Sequence, residues 1–273
     1  MSDYSLVKLN YIRLKEKRGF MNYNLVKANL NLYAVLKNLE DLTIHDKEMK
    51  ELINSWDLSI QFIVRNGPKA FIEFKKGGCI VGQGRYKSPS IILYFFSPLH
   101  LNKMFDGTAS PIPLKGLSKI RFLTKEFPKL TDRLSYYLKP ENELLKNNDY
   151  LKLNTIMLMN TAAFALPEIA NLDSTGRIIA SHMPEGIIEM KILPDFHSVN
   201  ITFGSGRISA RKGKAIKPSA VMAMKNVQVA NAFLNGKTDP FTAIAAGDVV
   251  IKGIIPMLDA ISLMLDRIPE YIS

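Results

Sequence analysis

The chain has 273 residues, with 36 Lys and Arg against 25 Asp and Glu, a formal net charge of +11. Hydrophobic residues make up 47% and charged residues 22%, a globular balance that excludes a largely disordered or fibrous protein. The one cysteine, Cys79, excludes an internal disulfide framework and any multi-cysteine zinc site, and fits a reducing compartment.

The N-terminus alternates Lys and Arg with apolar residues through Arg18 and has no continuous apolar run of the kind that directs secretion. The best candidate membrane segments, Thr155 to Ala165 and Ile251 to Leu265, fall short of the roughly 20 apolar residues a span needs. A soluble, cytoplasmic protein is expected. The positive charge favours an anionic partner, such as a membrane surface or an acidic ligand. Lys outnumbers Arg, and neither an aromatic-rich RNA-binding motif nor a helix-turn-helix accompanies the charge, so nucleic acid is an unlikely partner.

An internal repeat organises the rest. Shifted by 129 residues, segment 60–111 lies on 189–240 without a gap and matches at Ile63/Ile192, Ile72/Ile201, Phe74/Phe203, Gly77/Gly206 and Gly84/Gly213, then at Pro89/Pro218, Ser90/Ser219, Asn102/Asn231, Gly107/Gly236 and Pro111/Pro240. Chance would supply about three such identities. A two-residue gap extends the register to Gly116/Gly247 and Ile120/Ile251. A unit of this size is a domain, not a solenoid repeat. The polar stretch Lys139-Pro140-Glu141-Asn142-Glu143 divides the chain into a first domain, 1–140, with a helical N-terminal extension, and a second, 141–273.

In chain order, the first copy opens with a helical segment, Leu25 to Leu39. Four short strands follow at Leu58–Arg65, Ala70–Lys75, Cys79–Tyr86 and Ser90–Phe96, split by Asn66-Gly67-Pro68, Gly77-Gly78 and Ser88-Pro89. This spacing and punctuation predict an antiparallel meander. Leu99 to Phe105 is helical and stops at Asp106-Gly107, a last strand is expected at Leu117–Phe122, and Phe127, Leu130, Leu134 and Tyr137 mark a closing helix. The second copy repeats the order. Its helix is Leu151 to Ala170 and its strands are Ile188–Leu193, Ser198–Phe203, Arg207–Lys212 and Ala220–Lys225, with hairpin turns including Gly204-Ser205-Gly206. A helix over Val227 to Leu234, a last strand at Asp248–Lys252 and a closing helix striped by Ile254, Leu258, Ile261 and Leu265 complete it.

The run Pro218-Ser219-Ala220-Val221-Met222-Ala223-Met224, then Phe233-Leu234-Asn235-Gly236-Lys237-Thr238-Asp239-Pro240, then Ala246-Gly247-Asp248-Val249-Val250-Ile251-Lys252-Gly253 resembles the sterol carrier protein type-two family of nonspecific lipid transfer proteins. The first copy resembles a more diverged member through Ser88-Pro89-Ser90, Met104-Phe105-Asp106-Gly107 and Ser110-Pro111, with Gly116-Leu117 in place of Gly247-Asp248. The resemblance covers roughly 57–138 and 187–269. It implies an α+β fold of two tandem sterol-carrier-like domains, each a mostly antiparallel, about five-stranded sheet covered on one face by helices. It also implies non-catalytic binding or transport of a lipid, fatty acyl chain or sterol-like molecule in an apolar cavity between sheet and helices. The resemblance carries no catalytic residues and no cofactor, and an enzyme is not expected. The alternative is an interaction or scaffolding protein, or an enzyme accessory subunit, with solid domain cores.

The residues themselves agree with that absence of chemistry. His45, His100, His182 and His197 form no HExxH, HxH or Cys/His spacing, so no metal is expected. Gly82-Gln83-Gly84-Arg85 and Gly204-Ser205-Gly206-Arg207 sit at strand turns rather than opening helices, and no G-x-S-x-G elbow is present. Cys79 aligns with Ile208 and reads as a small buried residue. Candidate ligand-lining residues are Met222, Met224, Phe233, Leu234 and Phe241, with Ile244, Ile255, Leu258, Ile261 and Leu265. Eight of the twelve methionines follow residue 150, which suits an adaptable pocket. Lys75, Lys76, Arg85, Lys87, Arg207, Arg211, Lys212 and Lys214 are candidates for docking on an anionic membrane surface. The first copy is the more basic, with 13 cations against 4 anions over 60–138 and 10 against 6 over 189–267.

Overall fold

The computed structural model describes residue 19 and residues 22–272 apart from 205 and 206. The basic stretch ending at Arg18 and the Ser205-Gly206 hairpin tip lie outside the described residues. Helix α1, residues 22–45, is continuous but changes pitch, with a π-turn at Asn31–Val35 and a 3-10 turn at Leu36–Asn38. Buried Asn38 accompanies the change: its amide donates to the carbonyls of Ala34 and Val35 and across to Thr161 Oγ1 at 2.7 Å. Asp46 ends α1 and caps α2, Lys47–Ile53, accepting from the Met49 N–H.

The first sheet consists of β1 (Leu58–Val64), β2 (Lys69–Lys75), β3 (Gly78–Gln83), β4 (Ile91–Phe95) and β5 (Ile112–Lys115), in the order β3-β2-β1-β4-β5. The second consists of β6 (Gly186–Ile192), β7 (His197–Gly204), β8 (Arg207–Lys212), β9 (Ala220–Met224) and β10 (Val249–Gly253), in the order β10-β9-β6-β7-β8. Each sheet is thus the same five-stranded, mostly antiparallel arrangement with one parallel pair, β1 with β4 and β6 with β9. That pair corrects the expected meander, because β4 crosses back to lie beside β1 instead of following β3. Polar side chains hold the crossover. Ser59 and Ser90 exchange N–H···Oγ bonds, while the Gln61 amide donates to the Gly84 carbonyl and accepts from the Tyr86 N–H. In the second copy Asn200 takes the Gly213 carbonyl and Glu189 takes the Ala215 N–H, so two residues divide the work of Gln61.

The expected last strand at Leu117–Phe122 is also corrected. Leu117–Lys119 is a 3-10 turn, and the strand is β5, ahead of Gly116. Gly116 (φ +88°) lies against Ser90 O and Ile91 as Gly253 (φ +88°) lies against Ser219 O and Ala220. A Cβ would stand 2.9 Å from Ile91 Cγ1 in the first case and 2.1 Å from Ser219 O in the second. The structural counterpart of Gly116 is therefore Gly253, and the gapped pairing with Gly247 does not hold.

The remaining helices are α3 (Pro98–Phe105), α4 (Phe127–Leu138), α5 (Asn148–Leu172), α6 (Ser174–Ser181), α7 (Val227–Leu234), α8 (Pro240–Ala245) and α9 (Ile255–Leu265). One face of each sheet is buried against helices, as the alternation of buried Ala70, Ile72 and Phe74 with more exposed neighbours in β2 shows. Two apolar cores result, and they exchange helix residues. Val26, Leu30 and Ala34 of α1 pack into the core of the second sheet, while Tyr150, Leu153 and Met157 of α5 pack into that of the first.

Buried polar clusters repeat with the fold. Asp46 accepts from Arg133 Nε (2.7 Å) and Tyr137 OH (3.1 Å); Asp173, which caps α6, accepts from Arg267 Nη2 (3.0 Å) and Tyr271 OH (2.6 Å). Each ties the closing helical segment of its copy to the end of the long helix. Asn102 of α3 donates to Asn24 in α1, and Asn231 of α7 donates to Asn154 in α5.

Candidate functional site

The sequence directs attention to the layer between the second sheet and its helices. Along β9 the side chains of Met222 and Met224 share a face, and in the register with β6 they neighbour Met190 and Ile192. Helix α9 lies over them with Met257, Leu258, Ile261 and Met264 buried. The buried face of α9 keeps Leu258 and Ile261 of the expected stripe but is rotated toward Met257 and Met264, since Ile254 is exposed and Leu265 only partly buried. This helix is apolar nearly all round, so its sequence periodicity does not select the face; the sheet does. Six methionines lie fully or nearly buried in this core: Met159, Met190, Met222, Met224, Met257 and Met264.

Beside this layer, α7, α8 and the start of β10 bound an opening of about 240 Å³, lined by Val229, Ala232, Phe233 and Ala243 with Thr238 and Asp248. Asn226 caps α7 through the Val229 N–H, and Asp239 caps α8 through the Thr242 N–H and hydroxyl. The bonds from Thr242 hold the Asp239 carboxyl below its usual range. Phe241 is 83% exposed, and Ile244, Val250, Ile254 and Ile255 are exposed on α8, β10 and the start of α9.

The expected lining residues therefore divide. Met222, Met224, Leu258 and Ile261 are buried core residues; Leu234 and Leu265 pack at the core's margin; Phe233 lines the opening; Phe241, Ile244 and Ile255 face solvent. The sequence reading missed Met190, Met257 and Met264, for which strand pairing and helix phase were needed.

The basic residues divide too. Lys75, Lys76, Arg85, Lys87, Arg207, Arg211 and Lys214 are exposed. Lys214 pairs with Asp195 at 2.9 Å. Alternation along β8 places Arg207 and Arg211 outward but turns Lys212 inward, to Glu40 Oε2 at 2.8 Å and Asp41 Oδ2 at 2.5 Å. Burial pushes the Glu40 carboxyl up, but the charge of Lys212 and hydrogen bonds from Lys212, Lys37 and the Val81 N–H outweigh it and leave it below its usual range. Lys212 thus joins the two halves instead of facing a surface. Gln83, its counterpart in the repeat, reaches buried Glu168 of α5, whose carboxyl burial pushes up to about 7 with only the Gln83 hydrogen bond opposing. Cys79 is pushed up to about 12 by burial, with the Glu40 charge adding, which keeps it a thiol.

Among the described residues, no group of three or more His, Cys, Asp or Glu side chains could hold a metal ion, and no helix is long and apolar enough to cross a membrane.

Fold and site together define a duplicated α+β protein with a methionine-rich layer under its second sheet. The chain matches no protein-family model and no curated protein. It is similar to a solved Thermus thermophilus protein described as possibly a sterol carrier protein, at 21% identity and TM-score 0.33, covering 42% of this chain and 90% of that one. It is similar to the sterol carrier protein domain 2 of Helicoverpa armigera at 16% identity and TM-score 0.31, covering 47% of this chain and 91% of that one. A stereoselective inverting sec-alkylsulfatase from a Pseudomonas species also matches, at 13% identity and TM-score 0.25, covering 54% of this chain and 29% of the enzyme.

Proposed function

We propose that the protein binds and carries, without catalysis, an apolar molecule such as a lipid, a fatty acyl chain or a sterol-like compound. Residues 141–273 form the binding domain and residues 1–140 a supporting one. The observation that carries this reading is the set of six buried methionines in the same apolar core as Phe233 and Ala243, which line the opening. Unbranched thioethers change rotamer readily, so a layer built from them yields to an incoming chain where a layer of rings resists. Ligand enters between α7 and α8, past Phe233, and displaces Met222 and Met224. Mass spectrometry of organic extracts from natively purified protein is expected to show a co-purifying apolar compound. Met224→Trp and Leu258→Trp are expected to block uptake of a fluorescent fatty acid with the circular dichroism unchanged. Uptake equal to that of the unaltered protein would rule the site out.

The exposed basic residues give the carrier a way to reach anionic membranes from the cytoplasm. The protein is expected to cosediment with phosphatidylserine vesicles and to release as salt rises. Equal cosedimentation with neutral vesicles would remove that role. Burial of Met222, Met224, Leu258 and Ile261 in one continuous apolar core favours a second reading, a scaffolding protein with solid cores. No extracted ligand and no uptake of the probe would select it.

A further inference from the structure

The two Asp–Arg–Tyr clusters differ in one respect. In the second copy Arg267 gives Nε and Nη2 to Asp173 and Nη1 to Glu270, so each of its three guanidinium nitrogens has a partner. In the first copy Arg133 gives Nε to Asp46. Its terminal nitrogens have no hydrogen-bond partner among the described residues. Three positions on, where Arg267 finds Glu270, Arg133 finds Tyr136, and the guanidinium lies over that ring at 4.9 Å. Asp46 meets the guanidinium through Nε alone, its oxygens also accepting from the Met49 N–H and Tyr137 OH. The free edge of Arg133 is thus an oriented pair of donors, held by a buried carboxylate and an aromatic ring.

This edge belongs to a cleft of about 600 Å³ formed by the end of α1, α4, the start of α5 and the β6–β7 turn. Its aromatic wall consists of Tyr136, Tyr137, Tyr150 and Phe196, with Tyr137 and Tyr150 stacked at 5.0 Å and Tyr136 edge-on to Tyr150 at 5.0 Å. Leu144, Leu153 and Ile156 supply aliphatic lining. Lys152 lines it as well, with exposed Asp149 at 3.2 Å. His197 is held by Asn160, whose amide donates to Asp41 and whose oxygen therefore faces the imidazole Nε2 at 2.8 Å. Burial lowers its pKa, which keeps the ring neutral near pH 7.

A pre-oriented guanidinium edge calls for a carboxylate, and a wall of rings beside it calls for a flat apolar body. We propose that this cleft is a second binding site, for a planar aromatic carboxylate whose anionic group takes the free edge of Arg133 and whose ring lies along the tyrosine wall. It is separate from the methionine layer and does not rest on the carrier reading.

The test is calorimetric titration of the full-length protein with 2-naphthoate, 2-naphthalenemethanol and decanoate. Naphthoate is expected to bind saturably, and the alcohol, which keeps the ring but lacks the charge, about tenfold or more weaker. Decanoate is also expected to bind more weakly. Tyr136→Ala removes a half-exposed ring and leaves the Arg133–Asp46 bond in place; it and Arg133→Met are each expected to weaken naphthoate, with Met224→Trp leaving it unchanged. No saturable binding, equal affinity for the alcohol or decanoate, or affinity unaltered by Tyr136→Ala would overturn the proposal. Loss of binding in Met224→Trp would also overturn it, by placing the probe in the methionine layer.

Discussion

The two copies share a strand order but fill their cores differently. Under the first sheet Trp56 packs edge-on to Phe74 at 4.9 Å, and Phe62 stacks with Phe95 at 6.4 Å. Under the second sheet methionines occupy the centre. Rings have few rotamers and transmit any change in volume to their neighbours; thioethers adjust locally. A duplicated fold can therefore keep one rigid copy and one yielding copy while both retain the same turns. Conservation of backbone punctuation does not fix how hard a core is.

The comparison breaks most easily through volume. Phe95→Ala is expected to cost about 3–5 kcal/mol in chemical denaturation. Met224→Ala, the matching truncation at the position that answers to Phe95, is expected to cost less, about 2 kcal/mol, because the neighbouring thioethers close on the space. Equal losses would mean that the two cores are equally stiff. A smaller effect separates the two crossings between halves. Lys212→Met leaves buried Asp41 without a cation and Glu40 with Lys37 and the Val81 N–H alone, and is expected to cost about 3 kcal/mol, whereas Gln83→Met, which leaves Glu168 free to protonate, is expected to cost about 1 kcal/mol.

Glu168 sharpens this asymmetry through pH. Its folded pKa, about 7, lies above the ordinary carboxylate value of 4.5, so the folded state holds the proton more tightly than the unfolded state. Its contribution is fully favourable below the unfolded pKa and is lost as pH rises from there through about 7, on the order of 3 kcal/mol in all. Glu168→Gln is expected to raise the melting temperature at pH 8 and to change it little at pH 4. Glu40, lowered instead, acts in the opposite direction, losing its contribution as pH falls through its depressed value. The smallest effect expected is on the open face. Arg211→Ala is expected to alter stability by less than about 0.5 kcal/mol while weakening adsorption to anionic vesicles.

Much of this architecture is legible in the sequence, and for a definable reason. Turns such as Asp106-Gly107 and Asn235-Gly236 are set by local backbone chemistry, and Gly107 and Gly236 both take positive φ, so their identity survives divergence. The strand crossover was not legible, because it depends on Gln61 and Ser59 meeting residues far along the chain. The Asp46–Arg133–Tyr137 and Asp173–Arg267–Tyr271 clusters lie at other offsets than 129, so an ungapped comparison passes over them. Arg-x-x-x-Tyr near the end of each copy was the available signal. Lys212 looked like one more surface cation because alternation separates it from Arg211 only once the strand's inner face has something to meet. In the site, apolar character was readable and the facing direction was not. On α9, apolar residues surround the axis and leave its phase to the packing.

The exchange of α1 and α5 residues between the cores has a consequence for synthesis. The first sheet is complete by residue 115, yet its core still awaits Tyr150, Leu153 and Met157. As the chain leaves the ribosome, an assembled sheet therefore carries an unfinished apolar surface until α5 emerges, and the α1 residues Val26, Leu30 and Ala34 wait longer still for β6 to β10. Measured as pulling force on a stalled nascent chain, folding is expected to register once α5 has cleared the exit tunnel and not when β5 does. A force peak at the earlier length would show that the first sheet closes by itself.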